Sequence, residues 1–192
     1  MVDLKNMTPA AIRILETASE LFYWQGIRAV GVETIAKEAG VTKKTIYDRF
    51  GSKEELIVAY LKYRDEKWRT FLAENLEKVA DNQPEQKILA IFDTLGEWLI
   101  NENQRGCAFI NAFAELSEES HPGRRIIIGE KEWLKDKFIN YLEQMNVKNA
   151  VEVGERLMVL HEGITVTYSM NLNKDSSSLG KDMALVLIRN NI

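Results

Sequence analysis

The sequence predicts an all-α protein of about nine helices: three short N-terminal helices that include a helix-turn-helix, then a longer helical body. Three observations predict it. Apolar residues recur every three or four positions along nearly the whole chain. Only three prolines occur, and each stands where a helix begins or a turn is expected. No run alternates apolar and polar residues long enough for a strand. With 45% hydrophobic and 28% charged residues, the 192-residue chain can bury a substantial core, and it suits one domain or two closely packed ones.

The elements follow in order. Thr8-Pro9 opens the first helix, threonine as cap and proline in the first turn. Ile12, Leu15, Ala18, Leu21 and Phe22 form its stripe, and Gly26 closes it. Val32, Ile35, Ala36 and Ala39 make a second, short stripe that Gly40 ends, since glycine takes the left-handed conformation cheaply. Val41 fills the turn. Thr42 caps a third helix over Lys43 to Phe50, with Ile46 and Phe50 inward. A small residue at the closest approach (Ala36), glycine four positions on and an apolar residue six beyond that make the helix-turn-helix arrangement.

Ser52 caps a long helix from Lys53 to about Ala80, with Glu54 and Glu55 in its first turn. Pro84 starts the next, which carries Ile88, Ile91, Phe92, Leu95, Trp98 and Leu99 as far as Asn101. Gly106 opens a short helix so apolar that deep burial is expected. His121-Pro122-Gly123 reads as a turn. Ile127, Leu134, Phe138, Leu142 and Met145 mark a seventh helix, and Val153, Leu157, Leu160, Ile164 and Tyr168 an eighth. A ninth, capped by Ser177 or Ser178, turns Leu179, Met183 and Val186 inward. The expected division is residues 1–53 as the helix-turn-helix domain and 54–192 as the body.

Charge is distributed unevenly. Residues 1–53 carry eight basic and six acidic side chains, the remainder seventeen and twenty-three, within a net charge of −4. The excess positive charge lies with the helix-turn-helix and the body is acidic. On the outward face of the third helix, Lys43, Lys44, Thr45, Tyr47 and Asp48 surround the inward Ile46. Lysines supply phosphate contacts, and hydroxyls add hydrogen bonds that fix register, which points to double-stranded DNA.

This stretch resembles the TetR-type family of bacterial helix-turn-helix regulators. The resemblance rests on Gly26, Val32, Ile35, Ala36, Ala39-Gly40-Val41-Thr42-Lys43, Thr45-Ile46-Tyr47, Phe50 and Ser52-Lys53-Glu54-Glu55-Leu56, about a quarter of the chain. It implies an all-helical homodimer with an N-terminal DNA reader and a C-terminal ligand-binding and dimerisation body. It implies DNA contacts at Thr42, Lys43, Lys44, Thr45, Tyr47, Asp48 and Lys53. Two positions depart from the common pattern. Val30-Gly31 stands where Thr-Thr or Thr-Ser is frequent, so the second helix lacks a hydroxyl cap. Asp48 stands where histidine or a neutral residue is frequent; an acid there can accept from cytosine N4 and alters the target sequence.

No constellation of catalytic residues occurs, and no enzyme is expected. The two histidines, His121 and His161, and the single Cys107 are too few and too scattered for a zinc site, so no metal or cofactor is expected. Cys107 reads either as a redox or electrophile sensor or as a small buried hydrophobe. His161 reads as a ligand contact or as a satisfied core histidine. A small, largely apolar effector of unknown identity is expected among Trp68, Phe71, Phe92, Trp98, Phe109, Phe113 and Trp133, with Cys107, Asn111 and His161 as polar points. Val159, Leu160, Gly163, Ile164, Val166, Leu185, Val186, Leu187 and Ile188 give the last two helices apolar residues on more than one face, which predicts a homodimer interface. The start MVDLKNMTPAAIRIL lacks a leader pattern and no stretch suits a membrane span, so a cytoplasmic protein is expected. The functional expectation is a repressor released from a palindromic operator by its effector. The rival is a helical ligand-binding or interaction protein without sequence-specific DNA binding.

Overall fold

The computed structural model describes residues 7–191; the sequence reading of residues 1–6 lies outside them. Among the described residues there are nine helices and no strand. They are α1 (Pro9–Gln25), α2 (Val32–Glu38), α3 (Lys43–Phe50), α4 (Lys53–Leu76), α5 (Pro84–Asn101), α6 (Ala108–Glu115), α7 (Pro122–Gln144), α8 (Ala150–Ser169) and α9 (Ser176–Arg189). None of the helices is long and apolar enough to cross a membrane.

Contacts group the chain into two units, and the boundaries differ from the expected one. The first runs through Lys67 and includes Ala108–Ile128; the second is Trp68–Cys107 with Gly129–Ile192. The boundaries fall inside α4 and α7, and α6 belongs with the reader rather than the body.

In the first unit, local chemistry sets each helix end. Thr8 Oγ1 accepts from the Ala11 amide at 3.3 Å, with Pro9 at the first turn. Gly40, at φ +64°, ends α2; the Val41 amide donates to the Ala36 carbonyl at 2.9 Å, the six-to-one bond of a Schellman cap. A side chain at that φ would be strained. Thr42 Oγ1 accepts from the Thr45 amide at 3.1 Å and fixes the start of α3. Ile14, Leu15, Ala18, Ile35 and Ile46 are sealed from solvent and hold the three helices together.

In the second unit, α5, α8 and α9 pack on one another around Phe92, Leu95, Leu99, Leu157, Ala184 and Ile188, with Leu134, Phe138 and Leu142 of α7 in the same core. A Cβ at Gly180 of α9 would collide with the Ile164 side chain of α8, so glycine permits this crossing.

Several sequence expectations need correction. α4 ends at Leu76 rather than Ala80, in hydrogen-bonded turns through Val79. Pro122 and Gly123 belong to the first turn of α7, where proline is well placed, and not to a turn. α9 begins at Ser176 and has no serine cap. Its inward face is Ser176, Gly180, Ala184 and Ile188; Leu179, Met183 and Val186 are exposed. The short helix α6 buries Ala108, Phe109 and Ala112 but exposes Ile110 and Phe113.

Candidate functional site

The helix-turn-helix presents one polar face. Ile46 is wholly buried, and around it Thr42, Lys43, Lys44, Tyr47 and Asp48 are exposed while Thr45 is half-buried. Tyr47 is 47% exposed, unusual for so large a residue without a partner surface. Thr42 and Thr45 hydroxyls lie 2.9 Å apart and Thr42 also caps the helix, so both are fixed in place. Gly31 precedes α2 and offers no side-chain cap; Glu33 in the first turn complements the helix dipole instead. Its carboxylate pairs with Lys43, and that hydrogen bond holds the Glu33 carboxyl below its ordinary range.

Lys53 is placed differently from its six companions. Its ammonium turns inward, donates to the Ile27 carbonyl at 2.7 Å and stands 6.0 Å from the Phe22 ring centre. Burial lowers its pKa and the Glu115 carboxylate opposes that. Here the lysine ties the start of α4 to the α1–α2 turn. Arg28, which the sequence reading passed over, reinforces the same turn. Its amide donates to Glu115 Oε2 at 2.8 Å, its Nε to the Glu115 carbonyl at 2.9 Å and its Nη2 to Ser117 Oγ at 2.7 Å. The partners lie nearly ninety residues away, and no local signal announces them.

In the second unit the structure brings together part of the expected effector set. Trp68 and Trp98 rings lie 5.3 Å apart, and Phe71 stands 5.5 Å from Trp98. His161 faces Trp68, Phe92 and Phe138 at 6.2–6.4 Å. It is only 4% exposed, and its Nε2 has no hydrogen-bond partner. Trp133 is half-buried, with the Arg69 guanidinium 4.2 Å from its centre. Phe109, Asn111 and Phe113 fall in the first unit, where Arg124 lies 3.9 Å over the Phe113 ring.

Beside His161 lies a charged cluster. Lys131 Nζ donates to Glu162 Oε1 at 2.9 Å and to Cys107 Sγ at 3.6 Å, and stands 3.1 Å from Glu130 Oε2. His161 Nδ1 is 3.3 Å from the same Glu162 oxygen. Burial pulls the Lys131 ammonium toward neutrality, but Cys107, Glu130 and Glu162 together raise it above the lysine range. Burial likewise raises Glu162, yet the His161 hydrogen bond and the Lys131 charge prevail and hold it at about 2. Glu130, 2% exposed, is instead pushed up by burial. One signal could have found it: Glu130 sits on the α7 stripe of Ile127, Leu134 and Phe138, where a carboxylate is out of place.

The groove between α8 and α9 gathers most of the expected interface residues. Val159, Leu160, Gly163, Ile164, Val186 and Leu187 line it, with Val166 exposed nearby and Leu185 half-buried. Ile188 is turned into the core instead.

Known proteins agree with this architecture. Residues 14–60 match the family model described as bacterial regulatory proteins, tetR family. A TetR-family transcriptional regulator from Streptomyces coelicolor superposes with a TM-score of 0.87 at 28% identity, over 95% of both chains. The transcriptional activator FasR of Mycolicibacterium smegmatis is 30% identical over 92 residues, 48% of this chain and 41% of its own. The regulator LmrA of Bacillus subtilis is 32% identical over 124 residues, 63% of this chain and 65% of its own. The match thus spans less than half the length of FasR. Residues 14–60 thus carry the helix-turn-helix of the tetR family of bacterial regulatory proteins, as their sequence led us to expect, and the whole chain shares its fold with a TetR-family regulator.

Proposed function

We propose that this protein is a dimeric transcriptional regulator that binds a roughly palindromic operator through α3. One observation carries the reading: the exposed Thr42, Lys43, Lys44, Tyr47 and Asp48 surround a fully buried Ile46 in a capped helix-turn-helix. Tyr47 and Lys43 reach phosphates; Lys44, Thr45 and Asp48 face base edges. Lys53 acts through the turn it braces. The test is fluorescence anisotropy with DNA from upstream of the protein's own gene, against scrambled DNA at matched salt. Equal affinity for both would sink sequence-specific binding and favour the helical ligand-binding alternative.

The apolar groove between α8 and α9 supports a two-fold dimer. Val159, Leu179, Met183 and Val186 are about half exposed or more, and a second copy would cover them. A dimer presents two readers to half-sites one helical turn apart, or a multiple. A monomer by sedimentation at micromolar concentration would remove this part.

The body then holds a small, largely apolar effector. The aromatic group around His161 supports it, because the unpartnered Nε2 is a buried polar atom that a ligand can satisfy. Binding shifts operator affinity by its differential affinity for the two states and no more. In the repressor reading, effector lowers operator affinity. The match to FasR, named an activator, favours a second reading in which binding turns transcription on. A promoter–reporter fusion with and without the protein separates them by sign.

A further inference from the structure

We propose that Cys107 is a site of covalent capture of soft electrophiles, α,β-unsaturated aldehydes and ketones, with Lys131 as the group that activates its sulfur. Cys107 is the chain's single cysteine, so no intrachain disulfide competes for it. It immediately precedes α6 and is mostly covered. A thiol covered by apolar side chains alone is inert. This one is not so surrounded: the Lys131 ammonium donates to its sulfur at 3.6 Å. A cation at that range favours the thiolate, the nucleophilic form.

The surroundings are arranged for a small visitor. Lys131 and Glu162 each keep 24% of their side chains exposed, which opens the cluster to solvent. Glu162 Oε2 in the cluster lacks a hydrogen-bond partner, as does Nε2 of the neighbouring His161, whose Nδ1 meets Glu162. Glu130 Oε2 is ion-paired with Lys131 Nζ at 3.1 Å. A buried polar atom left unmatched in a native fold calls for a partner, and a small polar molecule can supply one. Among the described residues no group of three or more His, Cys, Asp or Glu side chains could hold a metal ion.

The chemistry balances without an oxidant. The Cys107 thiolate forms a carbon–sulfur bond at the β-carbon, and the double-bond pair moves to the carbonyl oxygen. The enolate takes a proton from water at its α-carbon. The hydroxide left over is neutralised by the proton the thiol released. Nothing leaves, and sulfur and hydrogen have added across the double bond. Lys131 stabilises thiolate and enolate as a fixed charge. Held firmly as an ammonium, it is no competing nucleophile. The adduct takes the thiolate away from the Lys131 ammonium and so loosens the link between α7 and α8.

The test is intact-mass kinetics of the full chain with methyl vinyl ketone. The folded protein should label once, at Cys107, about tenfold faster than the same protein unfolded in urea at the same pH. K131Q should slow labelling about tenfold and K131R, which keeps the charge, far less. C107S should not label on this timescale. A folded rate at or below the unfolded rate overturns the proposal, as does K131Q reacting like the parent. If K131Q fails to fold, the comparison of folded with unfolded parent still decides. None of these readouts involves DNA, so the result stands apart from the operator-binding reading.

Discussion

Two lysines on this chain, Lys43 and Lys131, are each paired with a carboxylate, and the two pairs are opposites. Lys43 meets Glu33 at the surface of the reader, where both side chains are more than half exposed. Lys131 meets Glu130 and Glu162 in the body, where Glu130 is sealed from water. Exposed pairs are screened and contribute little to stability. Buried charges are costly to desolvate, and removing one partner strands the others. The reader should therefore tolerate surface substitution in its fold and suffer in binding. The buried cluster should do the reverse.

The largest expected effect is at the residue that anchors α3 in the reader's core. Ile46→Ala removes a fully buried side chain at the centre of three helices and should cost about 2–4 kcal/mol. Urea denaturation followed by circular dichroism measures it. A loss near zero would mean that α3 is not clamped by its core and that its outward face is not pre-arranged.

Next comes the buried cluster, where two carboxylates on one ammonium respond to pH in opposite senses. Glu162 is depressed, to about 2, so its contribution is full above its unfolded pKa and is lost as pH falls from roughly 5 toward 2. Glu130 is raised, so the folded state holds its proton more tightly. Its contribution is favourable at low pH and is lost as pH climbs above the unfolded carboxyl value. Glu162→Gln should accordingly cost about 2–3 kcal/mol at pH 7 and flatten the acid limb of the stability profile. Glu130→Gln should be neutral or stabilising at pH 7. Equal losses in both variants would break the contrast and leave simple loss of packing as the account.

These two regions also differ in how far the sequence announces them. The reader was legible because its signals are local: Thr42 caps within three residues, Gly40 ends a helix, and Ile46 is surrounded by polar neighbours in one turn. The family resemblance rests on these same positions. The buried cluster joins Cys107, Lys131 and Glu162 across 24 and 31 positions, beyond any local pattern. Arg28 and Glu115 are hidden for the same reason. Helix α9 misled in another way. Its residues are apolar on both faces, and the larger ones look like core. Yet α9 lies so close to Ile164 and Phe92 at Gly180 that its inward face is the small Ser176, Gly180 and Ala184 with Ile188 at the far end, which leaves Leu179, Met183 and Val186 outside. Burial there follows available space and not hydrophobicity.

A smaller effect on stability and a larger one on recognition should come from Lys44→Ala. Lys44 is exposed in the first turn of α3, so the fold should keep its stability within about 0.5 kcal/mol. Operator affinity should fall by about 1–3 kcal/mol, and discrimination at one base position should relax. Anisotropy titrations on operator variants measure both. Uniform weakening across all variants would move Lys44 from base edge to phosphate.

Smallest of all should be Glu33→Gln, the surface counterpart of Glu162→Gln. The carboxylate restrains Lys43 and partly neutralises it beside the helix face proposed to meet DNA. Stability should stay unchanged, because water replaces the partner at no desolvation cost. Affinity should rise by about two- to fivefold at low ionic strength, and the salt dependence should steepen by up to about one unit as Lys43 is freed for phosphate. The gain should fade above about 0.3 M salt, where screening shortens the reach of the added charge. A drop in affinity would reverse the account: Glu33 would then be holding Lys43 in the geometry that DNA requires, and the surface pair would matter through position rather than through energy.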